Sequence, residues 1–248
     1  MEESPVISII IPAYNEAVRI GATLESVAAY LSRCPWPSEI IVVDDGSTDE
    51  TVALAEKAGG HHQGQGMSIQ VIRNPGNKGK GYSVRNGVLH ARAEIVMFTD
   101  ADLSAPITEL PKLVEPIQTG QCDIVIGSRA VDRSLIGIRQ SPFREFAGRI
   151  YNLLMRVITG LNLKDTQCGF KAYRRQAVLP VFEVQRIAGF SFDVEILYLA
   201  KKRRLSIMEV PVVWNHAEGS RVRMMTDSMK MFLDLLRIRW NGLLGRYH

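Results

Sequence analysis

Apolar runs and polar clusters alternate along the first half of the chain. Val6-Ile7-Ser8-Ile9-Ile10-Ile11 is a β-branched run stopped by Pro12, the pattern of a central strand covered on both faces. Ile20, Leu24, Val27 and Leu31 then recur at helical spacing. A second strand, Glu39 to Val43, ends in Asp44-Asp45-Gly46-Ser47-Thr48-Asp49-Glu50, where Ser47 and Glu50 have capping-box spacing and predict a helix running to about Gly59. The cycle repeats with a strand at Ile69 to Ile72, a loop from Asn74 to Gly81 and a helix near Ser83 to Ala91. It repeats again with Ile95-Val96-Met97-Phe98, which runs straight into Thr99-Asp100-Ala101-Asp102 and a helix near Glu109 to Gln118. A fifth strand, Asp123 to Gly127, ends at Ser128-Arg129. This alternation predicts an α/β fold: an open, mostly parallel, Rossmann-like sheet flanked by helices, with ligands beyond the strands' carboxyl ends.

The period changes after Arg129. Ser134 to Gln140 reads as a loop, and Phe143, Phe146, Ile150, Leu153 and Val157 mark a long amphipathic helix. Asp165-Thr166-Gln167-Cys168-Gly169-Phe170-Lys171 forms a compact polar knot before a short strand or turn. Gly189 to Glu195 opens a further helix that closes on Lys201-Lys202-Arg203-Arg204, where cations suit a helix C-terminus. Ile207 to Trp214 reads as the last strand and Asn215 to Arg223 as a polar loop. From about Thr226 to Leu244, Met225, Met229, Phe232, Leu236, Trp240 and Leu243 share one helix face, with Asp227, Lys230, Asp234 and Arg237 opposite. That face fits either closure of the core or an outer apolar contact with a membrane surface or a second copy of the chain, and Ile238 on the polar side favours a second contact. The chain thus divides into a body, residues 1–223, and a C-terminal amphipathic helix, residues 224–248.

Composition adds limits. The chain has 248 residues, 46% of them hydrophobic and 23% charged, an ordinary balance for a globular protein. Three widely spaced cysteines, Cys34, Cys122 and Cys168, predict free thiols rather than a disulfide framework or a zinc site. The acidic start, Met1-Glu2-Glu3-Ser4-Pro5, lacks the features of a signal peptide, and no apolar run reaches the ~20 residues of a membrane span. A cytoplasmic protein, peripheral at the cytoplasmic face of a membrane, is the expectation. Net charge is +4, but residues 201–248 hold ten Lys/Arg and four Asp/Glu, so the basic character belongs to the C-terminal part. A nucleic-acid role is not expected, because this charge lacks an accompanying pattern of stacking aromatics.

Two stretches carry candidate chemistry. Asp100 and Asp102 stand at the end of a buried strand, and side chains two apart on extended backbone face the same way. Paired carboxylates on a rigid edge suit a divalent cation carrying a phosphorylated substrate, although an isolated Asp-x-Asp is also a common polar turn. Asn74-Pro75-Gly76-Asn77-Lys78-Gly79-Lys80-Gly81 reads as a long glycine turn or as a basic loop near a phosphate; its spacing is not that of a Walker A motif. The pair His61-His62, in a glycine-rich loop, reads as solvated.

Pro12-Ala13-Tyr14-Asn15-Glu16, Val43-Asp44-Asp45-Gly46-Ser47-Thr48-Asp49 and Asp100-Ala101-Asp102, in that order on successive strand ends, resemble the inverting glycosyltransferases of family 2, which have a GT-A fold. Asp102-Leu103-Ser104-Ala105-Pro106, Gly127-Ser128-Arg129 and Asp165 to Lys171 look like the dolichyl-phosphate β-glucosyltransferase branch, with the mannosyltransferases as relatives. The resemblance covers nearly the whole chain. It implies that glucose moves from UDP-glucose to a polyprenyl phosphate such as dolichyl phosphate. It also implies that Pro12, Tyr14, Glu16, Val43 and Asp45 hold the nucleoside, Asp45 by accepting hydrogen bonds from the base, with Ala101 among the residues that bind the donor. Asp100 and Asp102 would hold Mg²⁺ or Mn²⁺ and the diphosphate, and Arg129 and Arg221 would face phosphate charge. Asp165, Gln167, Asp193 and Glu195 are candidates for positioning sugar or acceptor, alongside a plain role as loop and helix caps.

No histidine stands where a general base would. A phosphate monoester has a second pKa of about 6 and is already nucleophilic near neutral pH, so a lipid phosphate acceptor needs none. A hydroxyl acceptor would need Asp193 or Glu195 as base. The mannosyl relatives generally carry Gln where Ser104 stands, which tilts the donor from GDP-mannose to UDP-glucose. The eukaryotic glucosyl enzymes also carry an N-terminal anchor. This chain begins almost at its first strand, so the basic tail helix is the expected membrane contact.

Overall fold

The computed structural model describes residues 4–61, 67–138, 142–215 and 224–247. Four parallel strands, β1 (Ile7–Ala13), β2 (Ser38–Asp44), β3 (Met67–Arg73) and β4 (Ile95–Thr99), are joined by helices α1 (Ile20–Leu31), α2 (Thr51–His61) and α3 (Lys80–His90). A 3₁₀ turn and α4 (Leu110–Gln118) lead to β5 (Ile124–Ser128). Alternate residues of β1 feed opposite cores, Ile9 and Ile11 on the α1 and α4 side, Ile10 on the α3 side. A strand buried on both faces therefore reads as a continuous apolar run.

In the second half, α5 (Pro142–Thr159) precedes β7 (Phe170–Arg174), and α6 (Arg175–Glu183) and α7 (Phe192–Lys202) precede β8 (Ile207–Pro211). The full sheet has the order β3-β2-β1-β4-β7-β5-β8, in which β7 runs antiparallel to both its neighbours and β8 is parallel to β5. The expected mostly parallel sheet is present, with one reversed strand at its centre.

Several expectations need correction. Helix α2 begins at Thr51, not Ser47, and no capping box forms: Ser47 Oγ instead accepts the Asn15 amide at 2.8 Å, tying the first two strand-end loops together. The stretch expected as a loop, Ser134 to Gln140, holds a 3₁₀ turn and a short strand, β6 (Ile136–Ile138), among its described residues. Strand β6 pairs with β9 (Trp214–Asn215), so the expected last strand is two pieces in different sheets. Ladders of two or three residues are too short to leave an alternation in the sequence. Helix α6 lies in a stretch to which no element was assigned; it forms despite Pro180 inside it, with Val178, Val181 and Phe182 packed into the core.

The C-terminal helix α8 (Met224–Leu243) forms as expected but is turned differently from its sequence pattern. Asp234, Leu235, Ile238 and Asn241 face inward, whereas Met229, Leu233, Leu236, Trp240 and Leu243 lie exposed. Gly242 is the reason for the close approach to α7, since a Cβ there would stand 2.2 Å from Tyr198 Oη. On α5, which packs beside α8, Ile150, Leu153 and Val157 are likewise exposed, Val157 by 75%. No described helix is long and apolar enough to cross a membrane.

Candidate functional site

Four parallel strands end on one side of the sheet, and the loops after β1, β2, β3 and β4 meet there. Asn15, in the left-handed region at φ 50°, takes the Thr48 amide on its side-chain oxygen at 2.7 Å, and Glu16 N donates to Thr51 Oγ1 at 2.7 Å. Tyr14 and Glu16 are half-buried on this loop. Asp44 turns back to accept the Gly46 and Ser47 amides. Asp45 reaches the next loop: it accepts Asn74 Nδ2 at 2.9 Å and the backbone amides of Lys78 and Gly79 at 2.9 and 2.7 Å. The Val43 side chain is fully buried in the core, and Pro12 stands beside it in the parallel ladder.

Asp100, Ala101 and Asp102 turn sharply after β4. Asp102 Oδ1 accepts the Ser104 amide at 2.9 Å, Leu103 is held at φ 45°, and Thr23 of α1 donates its hydroxyl to Ala101 O at 2.6 Å. A left-handed leucine is costly backbone, kept here by contacts on both sides of the turn. Because β7 is antiparallel, it starts at the edge where β4 ends. Asp100 N therefore donates to Gly169 O at 3.2 Å, and the 165–169 knot lies against the two carboxylates. A Cβ at position 169 would run into the Asp100 carboxylate and push it aside. Asp100, Asp102, Ser104, Gly169 and Trp214 line one small cavity.

The other expected residues fall into three groups. Arg129 and Asp165 are brought together as a bidentate pair, with Nε to Oδ2 at 2.6 Å and Nη2 to Oδ1 at 2.8 Å, and the guanidinium lies 5.2 Å from the centre of the Trp214 ring. Burial alone would raise the Asp165 carboxyl, but Arg129 outweighs it and holds the pKa down to about 2. Gln167 is half-buried next to them, its amide donating to Asp165 Oδ1. Asp193 is deeper: it pairs with the fully buried Lys171 at 2.7 Å, and burial raises its carboxyl despite that partner. Glu195 points away from the cavity, accepting the amides of Arg186 and Ile187 and the Tyr247 hydroxyl. Arg221, and most of the loop around it, lies outside the described residues.

Three contributors are absent from the expected set. Lys80, first residue of α3, puts its ammonium 2.5 Å from Asp100 Oδ1. The lysines of the 74–81 loop were the signal for it, but nothing in the sequence says which carboxylate it meets. Trp214 reaches the cavity from 110 residues away, and Asn74 joins Asp45 to Ser83; neither has a local signature.

Two carboxylates opening on one cavity give a hard cation oxygen ligands. Among the described residues no group of three or more Asp, Glu, His or Cys side chains is arranged to hold a metal by itself. Such a pair fits Mg²⁺ or Mn²⁺ when substrate phosphate and water complete the coordination.

A family model described as Glycosyl transferase family 2 matches residues 8–182. The chain is 36% identical to dolichyl-phosphate beta-glucosyltransferase of Saccharomyces cerevisiae, across 99% of this chain and 78% of that protein. It is 33% identical to the Homo sapiens protein of the same name, across 97% and 77%. Among solved structures it is similar to glucosyl-3-phosphoglycerate synthase from Mycobacterium tuberculosis in complex with phosphoglyceric acid, with TM-score 0.71, 22% identity and coverage of 95% of this chain and 80% of that one. Complexes of that enzyme with Mn²⁺, UDP-glucose and phosphoglyceric acid, TM-score 0.70, and with Mg²⁺ and UDP, TM-score 0.67, match at 22% and 21% identity. They cover 95% and 98% of this chain, and 80% and 79% of theirs. At such identity these structures speak for the fold alone.

Proposed function

The chain belongs to glycosyl transferase family 2, and from that premise we propose that it is a dolichyl-phosphate β-glucosyltransferase, moving glucose from UDP-glucose to a polyprenyl phosphate with inversion. The observation that carries this reading is the pair Asp100 and Asp102 opening on one cavity where the strand-end loops and the 165–169 knot converge.

The acceptor phosphate oxygen attacks the anomeric carbon from the face opposite the diphosphate. The carbon–oxygen bond to UDP breaks, and its electron pair leaves with the diphosphate. Pro12, Tyr14, Glu16 and the Asp45 region hold the nucleoside, and Asp45 fixes the loop that closes on it. Asp100 and Asp102 would hold Mg²⁺ or Mn²⁺, which would supply positive charge against the departing diphosphate. Arg129, kept charged and aimed by Asp165 and Trp214, adds positive field beside the cavity, with Arg221 as a second cation for phosphate. A hydroxyl acceptor is disfavoured, because Asp193 is buried against Lys171 and Glu195 is held by its three donors, leaving neither placed to take a proton.

The exposed apolar side chains of α5 and α8 support docking on a membrane surface, with residues 1–223 as the transferase body and 224–248 as its contact helix. Lys230 on α8 approaches Gly189, which lies against Gly79 of the site loop, so α8 packs next to the loop that carries Lys80. A lipid-borne phosphate could then reach the site while its tail stays in the bilayer.

Incubation with radiolabelled UDP-glucose, Mn²⁺ and polyprenyl phosphate should yield an organic-extractable, acid-labile glucosyl product, with GDP-mannose run in parallel. Absence of product from UDP-glucose would overturn the donor assignment, and product from GDP-mannose alone would replace it.

A further inference from the structure

Lys80 occupies a position that helix stability does not explain. It is the first residue of α3, where the helix dipole disfavours a cation. Gly79, at φ 104°, makes the turn that puts it there, and a Cβ on Gly79 would stand 2.5 Å from Ala188 O. The ammonium is mostly buried, 2.5 Å from Asp100 Oδ1 and 5.6 Å from the centre of the Phe98 ring, with Asp193 and Asp102 adding their fields. The backbone on its N-terminal side is held by Asp45, which accepts the amides of Lys78 and Gly79. Lys80 is thus connected through two hydrogen bonds to the loop assigned to the nucleoside, and through its ammonium to a carboxylate assigned to the metal.

We propose that Lys80 is a built-in counter-cation for Asp100 that makes metal binding conditional on the nucleotide, an inference that rests on the metal reading given above. Without donor, the ammonium neutralises Asp100 and keeps it aimed at the cavity. A divalent cation arriving alone must compete for the same oxygen beside a charge of its own sign. When the nucleoside diphosphate is present, its negative charge accommodates both cations, and the competition is relieved. Metal and nucleotide affinities are then coupled, each raising the other by the same factor.

Direct Mn²⁺ binding to the full chain, followed by the electron paramagnetic resonance of free Mn²⁺, tests this with and without UDP. Wild type should bind Mn²⁺ weakly alone and much more tightly with UDP. Lys80→Met should bind Mn²⁺ alone at least ten times more tightly than wild type, and the enhancement by UDP should shrink by a similar factor. Lys80→Arg, which keeps the charge, should retain the wild-type dependence on UDP. Equal Mn²⁺ affinity in wild type and Lys80→Met would overturn the proposal, as would an equal rise in both variants, which would signal loosened packing. Failure of wild type to bind Mn²⁺ even with UDP would overturn the metal reading itself, a result separable from the other two.

Discussion

At the scale of single residues the site depends on a few close approaches. Gly169 is the sharpest of them, because any side chain there displaces Asp100. Gly169→Ala should lower turnover about 100-fold, the cost expected when a catalytic group moves by about an ångström. Its melting temperature should change little, since the atoms crowded are those of the Asp100 side chain, which can swing aside without disturbing the core. A steady-state assay beside a thermal melt checks both, and full activity in this variant would remove Asp100 from the mechanism. Asp100, Asp102 and Asp45 were legible in the sequence because a buried strand leading into acidic residues is a local pattern. Lys80 as the partner of Asp100, and Trp214 beneath Arg129, were not legible, because each is defined by a contact between distant segments.

At the scale of elements the strands of the first half were the most readable. β-Branched runs buried on both faces leave little choice, and β1, β2 and β4 formed within two residues of their expected bounds. The helices were readable as helices but not in their orientation. On α8 the apolar stripe looks like a core face, yet Leu235 and Ile238 on its other side are the fully buried pair. Sequence cannot rank two apolar faces of one helix when the choice depends on where Gly242 meets Tyr198. Two substitutions separate the faces. Ile238→Ala should cost about 2–4 kcal/mol in denaturant unfolding, as for other buried large-to-small changes. Trp240→Ser, at a side chain 60% exposed, should cost under about 0.5 kcal/mol while reducing co-sedimentation with anionic lipid vesicles several-fold. A stable Trp240→Ser protein that binds vesicles as before but no longer self-associates would assign this face to a second copy of the chain.

For the whole molecule, the expected α/β architecture formed around a sheet whose reversed central strand the sequence did not reveal. A five-residue run such as Phe170–Arg174 carries no mark of its direction. Its pairing joins the Arg129–Asp165 bridge to the body of the protein, and that bridge links global stability to acidity. The Asp165 carboxyl is held at about 2 when folded, below its ordinary value of 3.8. A depressed folded pKa contributes stability that is complete above the unfolded value and lost as pH falls through the folded one, so the window is roughly pH 4 to 2. The stability difference between wild type and Asp165→Asn should therefore shrink by on the order of 2 kcal/mol between pH 5 and pH 2, as read by urea unfolding. A difference independent of pH would contradict the assignment.

The reversed strand also imposes an order of assembly. Strands β1 to β4 pair among themselves and can form a parallel unit as soon as they are made, but β5 pairs only with β7 and β8, both later in the chain. A growing chain that has reached Ser128 thus holds a strand with no partner yet synthesised, and the carboxylates of Asp100 and Asp102 lack the wall that Gly169 supplies. Long-range pairings of this kind close late because the intervening chain must first be ordered. The nucleotide loops can be shaped early, whereas the reacting centre comes into being only when the last third of the protein threads its strand between two that were waiting for it.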